Sequence, residues 1–150
     1  MEPHDLGVLL QGLSRTTLRR SGGTRKGEAT FASTPFTRLA AFNRGGLFVG
    51  RFTGQTPWER HRNGDELVQV LDGEVDLTVM TARGPVQTTL RAGAVVVVAR
   101  GLWHRQHART EVALFSATPT PTDLSFADQP PTTRRVAGRR ARRSDAPARR

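Results

Sequence analysis

The chain has 150 residues and a mass of 16.5 kDa, a length at which a single hydrophobic core is the usual arrangement. It contains no cysteine, which excludes a disulfide framework, a thiolate nucleophile and a zinc site built on sulfur. The formal net charge is +10, but the last seventeen residues hold eight arginines and one aspartate, so the tail and not the body makes the protein basic.

The first predicted element is a short N-terminal helix. Four leucines recur at the spacing of one helix face: Leu6, Leu9, Leu10 and Leu13. Pro3 and Asp5 suit a helix start, and we expect so short a helix to dock on the body or on a partner chain. The segment lacks the basic-then-apolar pattern of a signal peptide, and no run approaches eighteen apolar residues. We therefore expect no membrane span and a cytoplasmic protein.

From Leu39 to Ala117 the pattern predicts short strands separated by turns, with one run from Leu47 to Gly54. Asp72-Gly73 separates two alternating runs and predicts a tight hairpin, because both central residues of a type I′ turn need positive φ. The continuous β-branched run Val95–Val98 predicts a strand buried on both faces. Short strands at regular spacing indicate an all-β sandwich or barrel.

These elements divide the chain into three parts. Residues 1–35 are an arm that contains the short helix and a Gly/Ser/basic linker, and residues 36–118 are the β domain. Residues 119–150 are predicted to be extended and then disordered, because they offer little to bury. The arginine-rich tail can neutralise phosphates, but no aromatic residue follows Phe126 to stack on bases. We therefore expect only non-specific binding of nucleic acid.

Polar residues interrupt the β pattern at four positions: Glu59, His61, Glu66 and His104. Glu59 and His61 are two apart, so on a strand they project to the same side. A turn at residues 63–65 returns the chain to Glu66, and His104 can close the cluster from across a barrel. Two imidazoles with one or two carboxylates suit Fe, Mn, Ni, Cu or Zn as divalent ions. The alternative is a polar cluster held by hydrogen bonds without a metal.

Residues 54–73 resemble the first conserved motif of the cupin superfamily, which contains His-x-His, a glutamate and a closing glycine. Residues 93–104 resemble the second motif, which ends in Pro-x-Gly-x-x-His. The resemblance places His61, Glu66 and His104 on metal-ligand positions. It implies a single cupin-type double-stranded β-barrel (a jelly roll) with a metal near its axis, frequently in a homodimer.

The sequence departs from this pattern at two positions. Ala99 stands where the family has proline, which stiffens a turn and contributes little else. Glu59 stands where the family has its first histidine. Three roles are open for Glu59: a fourth metal ligand, a salt bridge with Arg60, Arg62 or Arg100, or proton transfer.

Two tryptophans and an arginine are candidates for a substrate pocket. Trp58 and Trp103 each adjoin a predicted ligand, so they either wall a pocket or pack at the barrel end. Arg51, with Arg60 and Arg105, either holds a carboxylate or phosphate of a substrate or is a solvated rim charge.

Three functions are open at this point, and the sequence does not decide whether the protein is an enzyme. The first is a small metal-binding cupin that acts on or binds a small polar organic molecule, with dioxygenase-like or isomerase-like chemistry as examples. The second is a non-catalytic cupin module that binds or senses a ligand. The third is a nucleic-acid binder that uses its basic tail.

Overall fold

The computed structural model describes residues 3–18 and 35–131 of the chain. The described part is mostly β-strand, with one short N-terminal helix, which confirms the predicted fold class. The elements in chain order are α1 (Leu6–Gly12), β1 (Thr16–Leu18), β2 (Phe36–Phe42), β3 (Gly45–Gln55), β4 (Trp58–His61), β5 (Glu66–Asp72), β6 (Glu74–Thr81), β7 (Gly84–Arg91), β8 (Val95–Val98), β9 (His104–Pro119) and β10 (Thr122–Ser125).

Some predictions concern residues outside the described ranges. The linker and the arginine-rich tail, with its predicted affinity for nucleic acid, lie there, and these stay predictions. Among the described helices none combines the length and the apolarity that crossing a membrane requires. The cytoplasmic location also stays a prediction.

Helix α1 begins where the sequence predicts. The side chain of Asp5 accepts a hydrogen bond from the backbone nitrogen of Val8 at 3.1 Å, which caps the first turn. All four leucines of the predicted stripe are half-buried. The carbonyl of Leu10 accepts a bond from Arg51 Nη2 on β3 at 3.4 Å, so the helix docks on the body of its own chain.

Strand β9 is the central strand of the sheet and pairs with other strands along both of its edges. One of its edges pairs with β3 and then, through a single residue pair, with β4. The other edge pairs with β5 and then with β6. Each edge therefore takes two consecutive strands, and β9 is long enough to curl around the interior of a barrel.

The predicted hairpin at Asp72-Gly73 is wrong. Strands β5 and β6 do not pair with each other, since both pair with β9 and the chain turns a corner between them. Gly73 does have the positive φ (+78°) that the dipeptide indicated. Its backbone lies close to β9, because a Cβ at this position would stand 2.4 Å from the carbonyl oxygen of Glu111. Gly73 therefore lies at a bend between β5 and β6 where the chain passes close to β9, and not in a turn between paired strands.

Apolar side chains on the inner faces of β3, β5, β6 and β9 form the core. The buried cluster comprises Phe52, Val68, Val70, Val75, Ala108, Val112 and Leu114. The prediction that Val95–Val98 is buried on both faces is wrong, because Val95 and Val97 are 59% and 58% exposed. Strand β8 pairs only with β5, and in the described part of the chain nothing covers its outer face.

Candidate metal centre

Strand alternation brings Glu59 and His61 to the same side of β4, as the sequence predicts. Glu59 pairs directly with His104, the first residue of β9, so all three side chains face the barrel interior. Glu59 Oε1 lies 3.7 Å from His104 Nε2. The rings of His61 and His104 are 5.4 Å apart between centroids and are tilted by 46°.

Glu66 joins the two histidines. Its Oε2 lies 2.8 Å from His104 Nε2 and 3.4 Å from His61 Nε2. Its Oε1 accepts a hydrogen bond from the hydroxyl of Thr118 at 2.6 Å. Strand β4 does not pair with β5, so the turn at residues 63–65 is not what positions Glu66. The curl of β9 does so instead, because both of its ends, at His104 and Thr118, bond to this one carboxylate.

Both nitrogens of the His104 ring face acceptors. Nε2 faces Glu66, and Nδ1 lies 3.2 Å from the carbonyl oxygen of Leu102. Burial lowers the pKa of His104, but the hydrogen bond to Glu66 and the charges of Glu59 and Glu66 outweigh it and raise the pKa to about 9. Burial raises the pKa of Glu66, but the hydrogen bond to His104 and the close contact with His61 outweigh it and lower the pKa to about 2. Without a metal, the two residues form a buried ion pair.

Glu59 has the opposite electrostatic environment. Burial and the negative charge of Glu66 raise the pKa of Glu59 to about 7, against the lowering effect of His104 and His61. The predicted salt bridges of Glu59 with Arg60 and Arg62 do not form, because both arginines bind Asp123. Glu59 is therefore an acidic group at the interior cluster that exchanges its proton near neutral pH.

The donor atoms of this cluster suit a metal ion. One ligand atom from each of Glu59, His61 and His104 lies within 4.8 Å of the others, a spacing that one ion can bridge. His61 Nε2 is buried and forms no hydrogen bond, although Glu66 Oε2 lies 3.4 Å away. Imidazole nitrogens mixed with carboxylate oxygens are a typical ligand set for divalent first-row metals and zinc. The residues therefore fit the metal that the resemblance implies.

The structure does not bring the predicted pocket residues to this cluster. Trp58 and Trp103 are buried. The guanidinium carbon of Arg105 lies 4.4 Å from the centroid of the Trp58 ring, and that of Arg60 lies 4.6 Å from the centroid of the Trp103 ring. Strand alternation puts these pairs on the face of the sheet opposite Glu59 and His104. This geometry favours the packing role.

Arg51 also lies on the outer face of the sheet. Its Nη1 binds Glu111 Oε1 at 2.6 Å, and its Nη2 bonds to the carbonyl of Leu10 in α1. The arginine therefore ties the helix to the sheet, and its side chain does not reach the interior cluster.

Three groups that contact the cluster through hydrogen bonds were not predicted from the sequence. Thr118 bonds to Glu66, the carbonyl of Leu102 bonds to His104, and the hydroxyl of Thr122 lies 3.2 Å from His61 Nδ1. Both threonines lie at the start of a segment of threonines and prolines that has no period and gives no local signal of a site.

Comparison with protein-family models agrees with this architecture. A family model described as Cupin domain matches residues 52–117. A solved cupin-2 domain containing protein from Shewanella frigidimarina is similar to this chain, with 20% identity over 60% of this chain and 79% of that one and a TM-score of 0.47. A search of curated proteins found no match.

Two solved enzymes also show similarity. Hydroquinone 1,2-dioxygenase from Sphingomonas sp. TTNP3 is 17% identical over 60% of this chain and 68% of that one, with a TM-score of 0.49. An oxalate oxidase is 22% identical over 55% of this chain and 43% of that one, with a TM-score of 0.44.

Proposed function

Residues 52–117 form a cupin domain, and we propose that this domain binds one divalent metal ion between His61, His104, Glu66 and Glu59. We further propose that a small polar organic molecule binds at that metal. The spacing of the donor atoms suits the ion, and the shape of the sheet around His104 supplies an approach for the molecule.

The observation that carries the proposal is the state of His61. Its Nε2 is buried and forms no hydrogen bond, although Glu66 Oε2 lies 3.4 Å away, and it lies near the donor atoms of Glu59 and His104. Leaving a buried polar atom unpaired costs about 1–3 kcal/mol. A cation placed among these atoms would use the lone pair of His61 Nε2 and remove that cost.

The other residues have distinct roles in this proposal. The proton shared by His104 Nε2 and Glu66 Oε2 must leave before both atoms can act as ligands, so metal binding releases a proton. A bound divalent cation supplies Lewis-acid activation of a coordinated oxygen. Glu59, with a pKa of about 7 in the metal-free cluster, acts either as a fourth ligand or as the group that accepts a proton from the bound molecule.

A row of residues across the inner face of the sheet supports an approach from solvent. His104 pairs with Val79 on β6, and Val79 pairs with Val86 on β7. Val79 is half-buried, and Val86 is 54% exposed although it lies on the inner face. An apolar floor therefore leads from solvent to the buried histidine, which suits a small molecule with an apolar part and a metal-binding polar end.

A second candidate is a non-catalytic binding module that holds no metal. The observation in its favour is the buried pair of Glu66 and His104, which satisfies its own charges and has Thr118 and the Leu102 carbonyl as further partners. In this case the barrel would bind its ligand through the apolar floor and the charged cluster alone.

Elemental analysis of the purified full-length protein separates the two candidates. The metal-binding proposal predicts about one equivalent of a divalent metal in the wild type, and at most about a tenth of that in His61→Ala and His104→Ala, because each variant removes a nitrogen ligand. His107→Ala is the matched control, since His107 lies on the same strand as His104 but is exposed. The control should keep the wild-type metal content.

The outcomes point in different directions. A wild type that takes up no metal, even after incubation with Zn²⁺, Mn²⁺ or Fe²⁺, would overturn the metal proposal and leave the non-catalytic module. Equal loss of metal in His107→Ala would show that metal binds adventitiously at the surface. Glu59→Gln that keeps its metal would assign Glu59 to proton transfer, whereas loss would assign it as a ligand.

We also propose that the protein is a homodimer. The support is the exposed apolar outer face of β8, where Val95 and Val97 are each more than half exposed. Monomeric proteins rarely expose a contiguous apolar patch larger than a few hundred Å².

A further inference from the structure

Strand β10 lies beyond residues 52–117, the part of the chain that the Cupin domain model matches, yet it contacts the candidate metal centre. The hydroxyl of Thr122, its first residue, lies 3.2 Å from Nδ1 of His61. We propose that Thr122 is a positioning residue for the metal: it holds the His61 ring so that Nε2 presents its lone pair to the ion. This inference rests on the metal-binding function proposed above.

The pairing of β4 shows why this chain needs β10. Strand β4 carries Glu59 and His61, but it pairs with β9 only through Glu59 and His104. On its other edge, four consecutive residues of β4 pair with four of β10, and Thr122 is directly opposite His61. Most of the backbone pairing that fixes the two residues therefore comes from β10.

A cluster of ion pairs on the outer face of the sheet stabilises the register between β10 and β4. Asp123 Oδ2 binds Arg60 Nη2 at 2.7 Å and Arg62 Nε at 2.5 Å, and both arginines belong to the chain segment that contains His61. The guanidinium group of Arg60 also stacks on Trp103, the residue before His104. The hydrogen bonds and charges of the two arginines lower the pKa of Asp123, so its carboxylate stays ionised. Thr122 is therefore fixed next to His61 by contacts on both faces of the strand.

A hydroxyl group suits the two states of the His61 ring. When Nε2 binds a metal, the remaining proton must be on Nδ1, and the Thr122 oxygen accepts the hydrogen bond from it. When Nε2 carries the proton and faces Glu66, the Thr122 hydroxyl can donate to Nδ1 instead. The same side chain therefore keeps the ring in one orientation before and after metal binding.

The test measures the zinc affinity of the full-length protein by competition with a chromophoric chelator. Thr122→Val keeps the shape of the side chain and removes the hydroxyl, and we expect it to weaken Zn²⁺ binding about tenfold or more, the usual effect of losing a hydrogen bond to a ligating histidine. Thr122→Ser retains the hydroxyl, so we expect its affinity to stay within about twofold of the wild type.

Ser125→Ala is the matched control on the same strand. Ser125 is opposite Trp58, and its hydroxyl accepts a bond from the backbone of Ala127, away from the cluster. This variant should bind Zn²⁺ as the wild type does. If Ser125→Ala weakens zinc binding as much as Thr122→Val does, any disturbance of β10 suffices and Thr122 has no specific role.

Nitrogen-15 NMR of the zinc-loaded protein gives a second readout. We expect a slowly exchanging Nδ1–H signal from His61 in the wild type and in Thr122→Ser, and rapid exchange of that proton with water in Thr122→Val. Equal zinc affinity and an equally protected Nδ1–H in Thr122→Val would overturn the proposal. A wild type that binds no zinc would overturn the proposed function instead, so the two failures are distinguishable.

Discussion

Glu66 Oε2 lies 2.8 Å from His104 Nε2, and the two side chains are only 5% and 0% exposed. The residues are 38 positions apart in the sequence, and the bond joins the start of β5 to the start of β9. Removing one partner of a buried ion pair leaves an uncompensated charge, which typically costs about 3–5 kcal/mol. The pair therefore links the candidate metal centre to the stability of the barrel.

The pKa shifts of this pair predict how the stability of the chelator-treated protein depends on pH. Because the pKa of His104 is raised to about 9, its stabilisation is complete below pH 6.5 and is lost as the pH rises toward 9. Because the pKa of Glu66 is lowered to about 2, its stabilisation is complete above pH 4.5 and is lost as the pH falls toward 2. Considered alone, this pair predicts the largest free energy of unfolding in urea between pH 4.5 and 6.5, and a fall of about 3 kcal/mol from His104 toward pH 9.

Glu59 provides the control for this pH profile. Its raised pKa of about 7 makes folding favour the protonated carboxyl group, so the stabilisation from that proton is complete below pH 4.5 and is lost as the pH rises through 7. Glu59→Gln should remove this early part of the decline and keep most of the later part, which belongs to His104. A wild-type free energy of unfolding that is constant from pH 5 to pH 9 would contradict the assignment of both groups.

The sequence predicts those parts of the cluster that depend only on residues close together in the chain. Strand alternation alone places Glu59 and His61 on one side, and the second motif supplies His104. The bonds that complete the cluster join residues far apart in the chain: Thr118 is 52 positions from Glu66, and Thr122 is 61 positions from His61. They depend on the curl of β9 and on the register of β10, which no local pattern records.

The same distinction explains the errors in the fold. The Asp-Gly signal concerns the backbone conformation: Gly73 has the predicted positive φ, whereas Asp72 does not. Which strands pair is a tertiary property, and β9 offers an edge to both β5 and β6. The apolar run Val95–Val98 likewise indicates a strand, but only the arrangement of neighbouring strands decides that one face stays exposed.

Gly73→Ala tests whether this corner is sterically required. The alanine would have to adopt a left-handed backbone conformation, and its Cβ would lie 2.4 Å from the carbonyl oxygen of Glu111. We expect a loss of about 2–4 kcal/mol in the free energy of unfolding. Gly93→Ala is the matched control, because Gly93 also has positive φ (+88°) but has no atom within 4 Å of the added Cβ. The control should lose only about 1–2 kcal/mol, the cost of the backbone conformation. Equal losses would show that the approach of β9 imposes no constraint.

The outer face of β8 leads to a prediction about oligomeric state. Val97 borders a groove of 670 Å³ whose other lining residues include Phe42, Leu67, Arg44 and Asp65. In a two-fold dimer each patch meets its own copy, so Arg44 of one copy can approach Asp65 of the other while the apolar residues pack between them. We expect the wild type to sediment at twice the 16.5 kDa mass of the chain. Val97→Lys should weaken the dimer at least about tenfold, because it buries a charge in the apolar contact.

Val86→Lys distinguishes this interface from a general effect of surface charge. Val86 is 54% exposed, close to the 58% of Val97, but it lies on the inner face of the sheet, beside the approach to the metal centre. The variant should sediment as the wild type does. If Val86→Lys dissociates the dimer and Val97→Lys leaves it intact, the copies meet across the barrel opening, and a ligand would have to enter between them. A wild type that sediments as a monomer at micromolar concentration would remove the dimer proposal and leave the groove at β8 open to solvent.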